Sequence, residues 1–168
     1  MNIRKIRALR HIRRFNFHNC NKYQNVAEHS FFVGILAYYI MLGWRPEKAA
    51  LAMAVALHHD IAEAVTGDIP YLVRQRLEMK EIDQEAMEEL DVSRFAADTD
   101  IVEVIDFADA FELKLYLEEE RRSGNNSLYE IECETYHRLF KYKVPNAVDW
   151  VKMLDPMPAS NFKGLLHE

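Results

Sequence analysis

The chain is predicted to be a single all-α domain, and three observations carry that prediction. Its apolar residues recur at helical spacing. No segment alternates with a period of two for long enough to make a strand. Short polar or Gly/Pro breaks cut the chain into helix-length stretches. At 168 residues, 49% of them hydrophobic, the chain can bury one sizeable core and is too apolar to stay disordered.

Each element has its own signal. Asn2 to Arg13 sets Ile3, Ile6, Leu9 and Ile12 among arginines, an i, i+3 ladder that predicts an amphipathic helix. Asn16 to Gln24 is polar and reads as a loop. Asn25 with Glu28 three residues on forms a capping pair, opening a helix that runs to about Leu42 and stops at Gly43. That helix is apolar nearly all round, which predicts a central position. Pro46 falls in the first turn of the next helix, whose run Ala49 to Leu57 is continuously apolar. Thr66-Gly67-Asp68 and Pro70 break the chain. A charged helix covers roughly Leu77 to Leu90, and Asp100 with Glu103 opens a long one reaching about Arg122. Leu128 to Lys143 and Asn146 to Leu154 follow, divided by Pro145. Residues 1–155 then form the domain, and 156–168, with Pro156 and Pro158, a C-terminal tail.

Composition narrows the setting. Cys20 and Cys133 cannot make a disulfide framework, so a reducing compartment is expected. The basic N-terminus lacks the apolar core of a secretory signal. The longest apolar stretch, Phe31 to Leu42, falls short of the ~20 residues a membrane span needs. A cytoplasmic protein without membrane attachment is expected. Met1 to Ala27 carry seven basic residues (Arg4, Lys5, Arg7, Arg10, Arg13, Arg14, Lys22) and no acid. The remainder holds 14 basic against 27 acidic residues, a net of −13 within an overall −6. A basic arm on an acidic body points to an anionic ligand near the N-terminus.

The informative residues are polar ones where apolar ones belong. The apolar run ending at Leu57 continues into His58, His59, Asp60 and then Glu63. Such groups are costly to desolvate unless paired or bound to metal. His59 and Glu63 are one helical turn apart and would share a face. On the long helix Asp109 lies one turn from both Ile105 and Leu113, so a carboxylate sits on the apolar stripe. His29 begins the other central helix. Three central helices each aim an ionisable group inward, which makes His29, His59, Asp60 and Asp109 a candidate divalent-metal site. For any one of them alone, a satisfied core hydrogen bond is the commoner arrangement. His11, His18, His137 and His167 keep that plainer reading, and His58 reads as packing beside the site. Glu28 reads as a helix cap, Glu112 as a solvated charge, and Glu118-Glu119-Glu120-Arg121-Arg122 as a solvated helix end. Phe31, Phe32, Tyr38 and Tyr39 read as core or subunit interface.

At these residues the sequence resembles the HD-domain phosphohydrolases. The strings are Asn25-Val-Ala-Glu-His29-Ser, His59-Asp-Ile-Ala-Glu63-Ala-Val-Thr-Gly67-Asp68-Ile-Pro70 and Ala108-Asp109-Ala110, with Arg14-Phe15 upstream. The resemblance spans roughly residues 14–126 and is strongest to the bacterial 5′-deoxynucleotidase branch. It implies an HD-type orthogonal helical bundle in which His29, His59, Asp60 and Asp109 hold a divalent ion (Co, Mn, Zn or Mg), with room for more than one. Glu63 and Asp68 would be the catalytic carboxylates, and Arg14 would meet the substrate phosphate. Phe15, Phe17 and Pro70 would line the substrate site. The branch has Trp where this chain has Phe15, and its typical members are longer. Compact phage-encoded relatives, some hydrolysing dATP to deoxyadenosine and triphosphate, match the length better and would act in a host cytoplasm. The resemblance also implies a homo-oligomer.

The leading expectation is therefore hydrolysis of deoxynucleoside 5′-monophosphates, with a dNTP triphosphohydrolase as the alternative. Arg10, Arg13, Lys22, Arg74, Arg76 and Lys80 are the cations available to a longer phosphate chain. Hydrolysis of cyclic dinucleotides or alarmones ranks lower, because the extra motifs of those branches are missing. A nucleic-acid-binding module with a vestigial site also ranks low, and the net negative charge makes duplex DNA an unfavourable partner.

Overall fold

A computed structural model describes residues 1–157, with the side chains of Tyr71 and Leu72 left aside. The described elements are helices α1 (Ile3–Ile6), α2 (Val26–Leu42), α3 (Ala49–His58), α4 (Glu63–Thr66), α5 (Tyr71–Arg74), α6 (Met79–Leu90), α7 (Thr99–Arg122), α8 (Tyr129–Leu139) and α9 (Ala147–Val151). Short 3-10 turns cover Arg7–His11 and Pro46–Lys48. No strand forms among the described residues, and the one bridge pairs Arg13 with Asn25. The all-α expectation holds. No helix among the described residues is long and apolar enough to cross a membrane.

The core is built where α2 packs against both α3 and α7. Val33, Ala37, Ile40 and Met41 of α2 meet Ala49, Ala52 and Ala56 of α3. The facing stripe of α7 contributes Ile101, Val104, Ile105, Phe107, Ala108 and Phe111. The alanines of α3 let the backbones come close. At Gly34 the fit is tighter, since a Cβ there would lie 3.0 Å from the Leu57 side chain. α2 is thus central, as its composition predicts, yet not buried all round. Phe31, Phe32 and Tyr39 are more than half exposed, which removes the core reading for them, while Tyr38 packs against the core.

Element ends differ from expectation where polar contacts outweigh apolar spacing. The N-terminal ladder is α only over Ile3–Ile6 and then tightens to 3-10, because the chain must turn at Ile12 to bridge towards Asn25. α7 is capped by Asp98, whose side chain accepts the N–H of Ile101, so it starts before Asp100. Asp100 instead pairs with Arg45 and Lys48. α9 is shorter than the predicted 146–154. The predicted tail lies outside the described residues except for Pro156 and Met157, and Met157 is buried. His167 also lies outside them.

Candidate metal centre

The site sits where α2, the end of α3 and the middle of α7 converge. The Asn25–Glu28 pair is a reciprocal capping box: the Glu28 N–H donates to Asn25 Oδ1 at 2.9 Å, and the Asn25 N–H to Glu28 Oε2 at 3.2 Å. It fixes the first turn of α2 and with it His29, which is wholly buried. α3 stops at His58, so His59 and Asp60 occupy a turn between α3 and α4. The single-helix argument for His59 and Glu63 sharing a face is therefore corrected. The turn, and not an i, i+4 helical face, delivers His59 and Asp60, and Glu63 opens α4 just after it.

One ligand atom each from His29, His59 and Asp109 lies within 4.8 Å of the others. His29 Nε2 stands 3.0 Å from Asp109 Oδ1 and 3.7 Å from Asp60 Oδ2, and His59 Nε2 stands 3.1 Å from Asp60 Oδ2. All four sequence-derived candidates are thus brought together. Both Nε2 atoms are buried and make no hydrogen bond. Each histidine is held through its other nitrogen. His59 Nδ1 donates to the Ala56 carbonyl at 2.5 Å, and His29 Nδ1 meets Glu112 Oε2. Two imidazole nitrogens and the Asp109 carboxylate, with Asp60 beside both imidazoles, make a candidate donor set for a divalent cation.

The charges reinforce one another. Burial pulls His59 down, but Asp60 and Asp109 outweigh it and push the imidazole up to about 9. Burial opposes the charge on Asp60, yet His59, Arg14 and His29 hold it well below the usual carboxylate range. Glu63 behaves oppositely. Burial, then Asp60 and Asp68, push it up to about 8 against the pull of Arg14 and Arg74. Asp68 is raised by burial, with Arg14 and the Phe15 N–H opposing.

A family model described as an HD domain matches residues 6–121, most of the chain. The chain belongs to the HD-domain phosphohydrolase superfamily. No curated protein matches it. Solved structures share the HD-domain fold. A protein of Pyrococcus horikoshii has a TM-score of 0.74 and 18% identity, over 90% of this chain and 95% of that one. A conserved hypothetical protein of Pyrococcus furiosus has a TM-score of 0.71 and 18% identity, over 90% and 98%. The HD phosphohydrolase of cyanophage S-2L, bound to dA and one catalytic Zn2+ ion, has a TM-score of 0.64 and 23% identity, over 91% and 93%.

Around this cluster the other candidates separate. Arg14 enters the site: its Nη1 is buried without a hydrogen bond, 4.0 Å from Asp60 Oδ2. Phe15 takes a left-handed φ of 55°, and its N–H donates to Asp68 Oδ2 at 3.1 Å. A bulky residue is strained there. Its ring packs against Tyr116 and His18. Gly67, with φ 73°, supplies the turn that brings Asp68 round to this contact. Pro70 opens α5, accepting the Arg74 N–H at 3.0 Å, and Arg74 reaches back to Glu63 Oε1 at 3.3 Å. Phe17 is not drawn in: it is 77% exposed. His58 packs as expected, donating to the Ala54 carbonyl and meeting the Phe95 ring edge-on.

Two residues that the sequence reading leaves outside the HD site belong beside it. Glu112 is buried against His29 and not solvated. It lies one turn beyond Asp109 on α7, a spacing that could have marked it. Gln24 Nε2 donates to Glu112 Oε1 at 2.5 Å, and nothing in a polar loop sequence signals that contact. Glu118 and Glu120 are likewise buried, which corrects the solvated-end reading.

Proposed function

We propose that this HD-domain phosphohydrolase cleaves at the α-phosphorus of deoxynucleoside 5′-phosphates, with monophosphates as the leading substrates. The observation that carries the reading is the convergence of two buried, unbonded His Nε2 atoms with Asp60 and Asp109, beside a buried, unbonded Arg14 guanidinium nitrogen. His29, His59, Asp60 and Asp109 would hold the ion. Two imidazoles with two carboxylates suit Zn, Mn or Co better than Mg, which favours oxygen and water ligands. When bound, the ion would supply a polarised phosphoryl oxygen and a water acidified towards ~7.

The chain's own residues do the rest. Arg14 offers a guanidinium fork for the phosphate oxygens, and its unbonded nitrogen is available to them. Burial and the neighbouring Asp60 and Asp68 carboxylates raise Glu63, which suits it to carry a proton for the departing 5′-oxygen. Asp68, the second proposed catalytic carboxylate, has one oxygen engaged by the Phe15 N–H, which ties it to the backbone that carries Arg14. Phe15 would lie against the sugar or base.

The dNTP reading draws support from two observations. One is the fold shared with the cyanophage S-2L enzyme bound to dA, over nearly the full length of both chains. The other is Arg74, which reaches Glu63 and could meet a further phosphate. Against it, Arg10 turns to His11 and Arg13 lies over the Tyr23 ring. The half-exposed Phe31, Phe32 and Tyr39 on α2 support a homo-oligomer. The deciding experiment is the metal-loaded protein against all dNMPs, dNTPs and ribonucleotides, with products separated by chromatography. Orthophosphate from dNMPs is expected. Triphosphate released from a dNTP would replace the leading substrate with the alternative, and no hydrolysis of either set would overturn the proposal.

A further inference from the structure

We propose that Gln24 and Glu112 form a positioning relay that fixes His29 as a metal ligand and ties it to the arm bearing Arg14; this rests on the metal reading above. The two candidate histidine ligands are held differently. His59 leans on a backbone carbonyl, that of Ala56, which any sequence would supply. His29 leans on a carboxylate, and the pair is almost entirely out of solvent, with side-chain exposures of 0% and 5%.

A buried carboxylate is costly, so its partners reveal what it is kept for. Among the described contacts of Glu112, Oε2 meets His29 Nδ1 and Oε1 accepts from Gln24 Nε2. A carboxylate oxygen is acceptor-only, so Nδ1 carries the proton in this contact and Nε2 presents its lone pair. That is the nitrogen facing Asp109 and Asp60. The negative charge also makes the imidazole a stronger donor to a cation than a carbonyl partner would.

Gln24 extends the chain of contacts. Its side chain anchors Glu112, while its backbone carbonyl accepts the Arg14 N–H at 2.9 Å. The neighbouring pair, Arg13 and Asn25, forms the bridge that closes this loop. Glu120, also buried on α7, takes the N–H groups of Asn21 and Lys22 at 2.7 and 2.8 Å. The loop is therefore pinned along α7, and Gln24 is where the phosphate arm and the metal ligand meet.

The test uses Co2+, titrated calorimetrically and followed by its visible absorption, into the full chain and the variants Glu112→Leu, Glu112→Gln and Gln24→Leu. Melting curves of the metal-free proteins run alongside. Absence of Co2+ binding to the wild type would overturn the metal reading itself. With wild-type binding in place, Glu112→Leu is expected to lower affinity ~10–100-fold and alter the absorption of the bound ion. Glu112→Gln, which can still accept from Nδ1, is expected to recover most of the affinity, and Gln24→Leu to lose less than Glu112→Leu. Wild-type affinity in Glu112→Leu, even with a lowered melting temperature, would overturn the relay. So would equal losses in Glu112→Gln and Glu112→Leu. Should Glu112→Leu fail to fold, unchanged affinity in Gln24→Leu overturns it alone.

Discussion

Two clusters of buried polar and charged groups sit along α7, and they differ in whether the groups are matched by hydrogen bonds. Towards its C-terminal end, the wholly buried Lys114 ammonium lies 3.1 Å from Glu118 and 2.9 Å from Glu132. Arg121 completes Glu132 and reaches Asp155, and Arg122 joins Glu118 to Asp155. Each of these charges has an opposite partner. Earlier on the helix, around Asp109, the Nε2 atoms of His29 and His59 and one nitrogen of Arg14 are buried without a hydrogen bond. The matched cluster is architecture, tying α7 to α8 and to the chain beyond α9. The unmatched one is the candidate site, because buried polar atoms left without a hydrogen bond persist only where something else repays their desolvation.

The comparison breaks first at Asp109. Asp109→Ala is expected to lower metal-loaded hydrolysis by ~10³-fold or more, since metal polarisation supplies several kcal/mol of barrier lowering. The same variant should bind metal weakly and, metal-free, melt no lower than wild type. A metal-free melting temperature that falls sharply with activity retained would place Asp109 with the matched cluster instead.

Lys114→Met makes the opposite cut. It leaves two buried carboxylates short of a cation, for which ~3–5 kcal/mol is typical, and Arg121 and Arg122 should keep the loss near ~3. Urea unfolding of the metal-free protein measures it. Metal affinity should stay at the wild-type value, and a coincident drop would mean the two clusters act as one.

Much of the unmatched cluster was legible in the sequence, and most of the matched one was not. His29 stands just before an apolar run, His59 and Asp60 follow the end of one and Asp109 sits on an apolar stripe, and a polar residue in an apolar context stands out. Glu118 and Glu120 lie in a string of charges at a helix end, where local pattern gives no reason to bury them. Glu118 pairs locally with Lys114 and Arg122, but its Asp155 contact, and the contacts of Glu120 with Asn125 and the loop at Asn21 and Lys22, are distant in sequence or without pattern. The turn at His59 was also hidden: apolar spacing runs smoothly through Leu57 into Ile61 and Ala62, while the backbone leaves the helix at His58. Phe15 was picked out by family likeness, but its left-handed φ is set by the Asp68 contact and has no local signature.

A smaller effect tests whether the unmatched cluster depends on its scaffold as well as on its ligands. Asn25→Ala removes half of the capping box one turn before His29 and should cost ~1 kcal/mol of stability in urea unfolding. Metal affinity should fall with it, because the cap sets the entry of α2. Unchanged affinity would show that Glu112 alone is enough to hold His29.

The smallest expected effect is a pH dependence confined to the matched cluster. Asp155 is held down to about 2 by hydrogen bonds from Arg122 and Arg121, against an ordinary value of 3.8. A folded-state pKa below the unfolded one means that the unfolded chain binds the proton more readily. The contribution of Asp155 is therefore fully present above about pH 4 and is lost as pH falls through about 2. The Asp155 side chain is more than a third exposed, so salt should weaken the effect. Urea midpoints of wild type and Asp155→Asn are expected to differ at pH 6 and to converge by pH 2, more closely so in high salt. If the difference persisted unchanged to pH 2, the pairing of Arg121 and Arg122 with Asp155 would not be electrostatic, and the last link of the matched cluster would be packing alone.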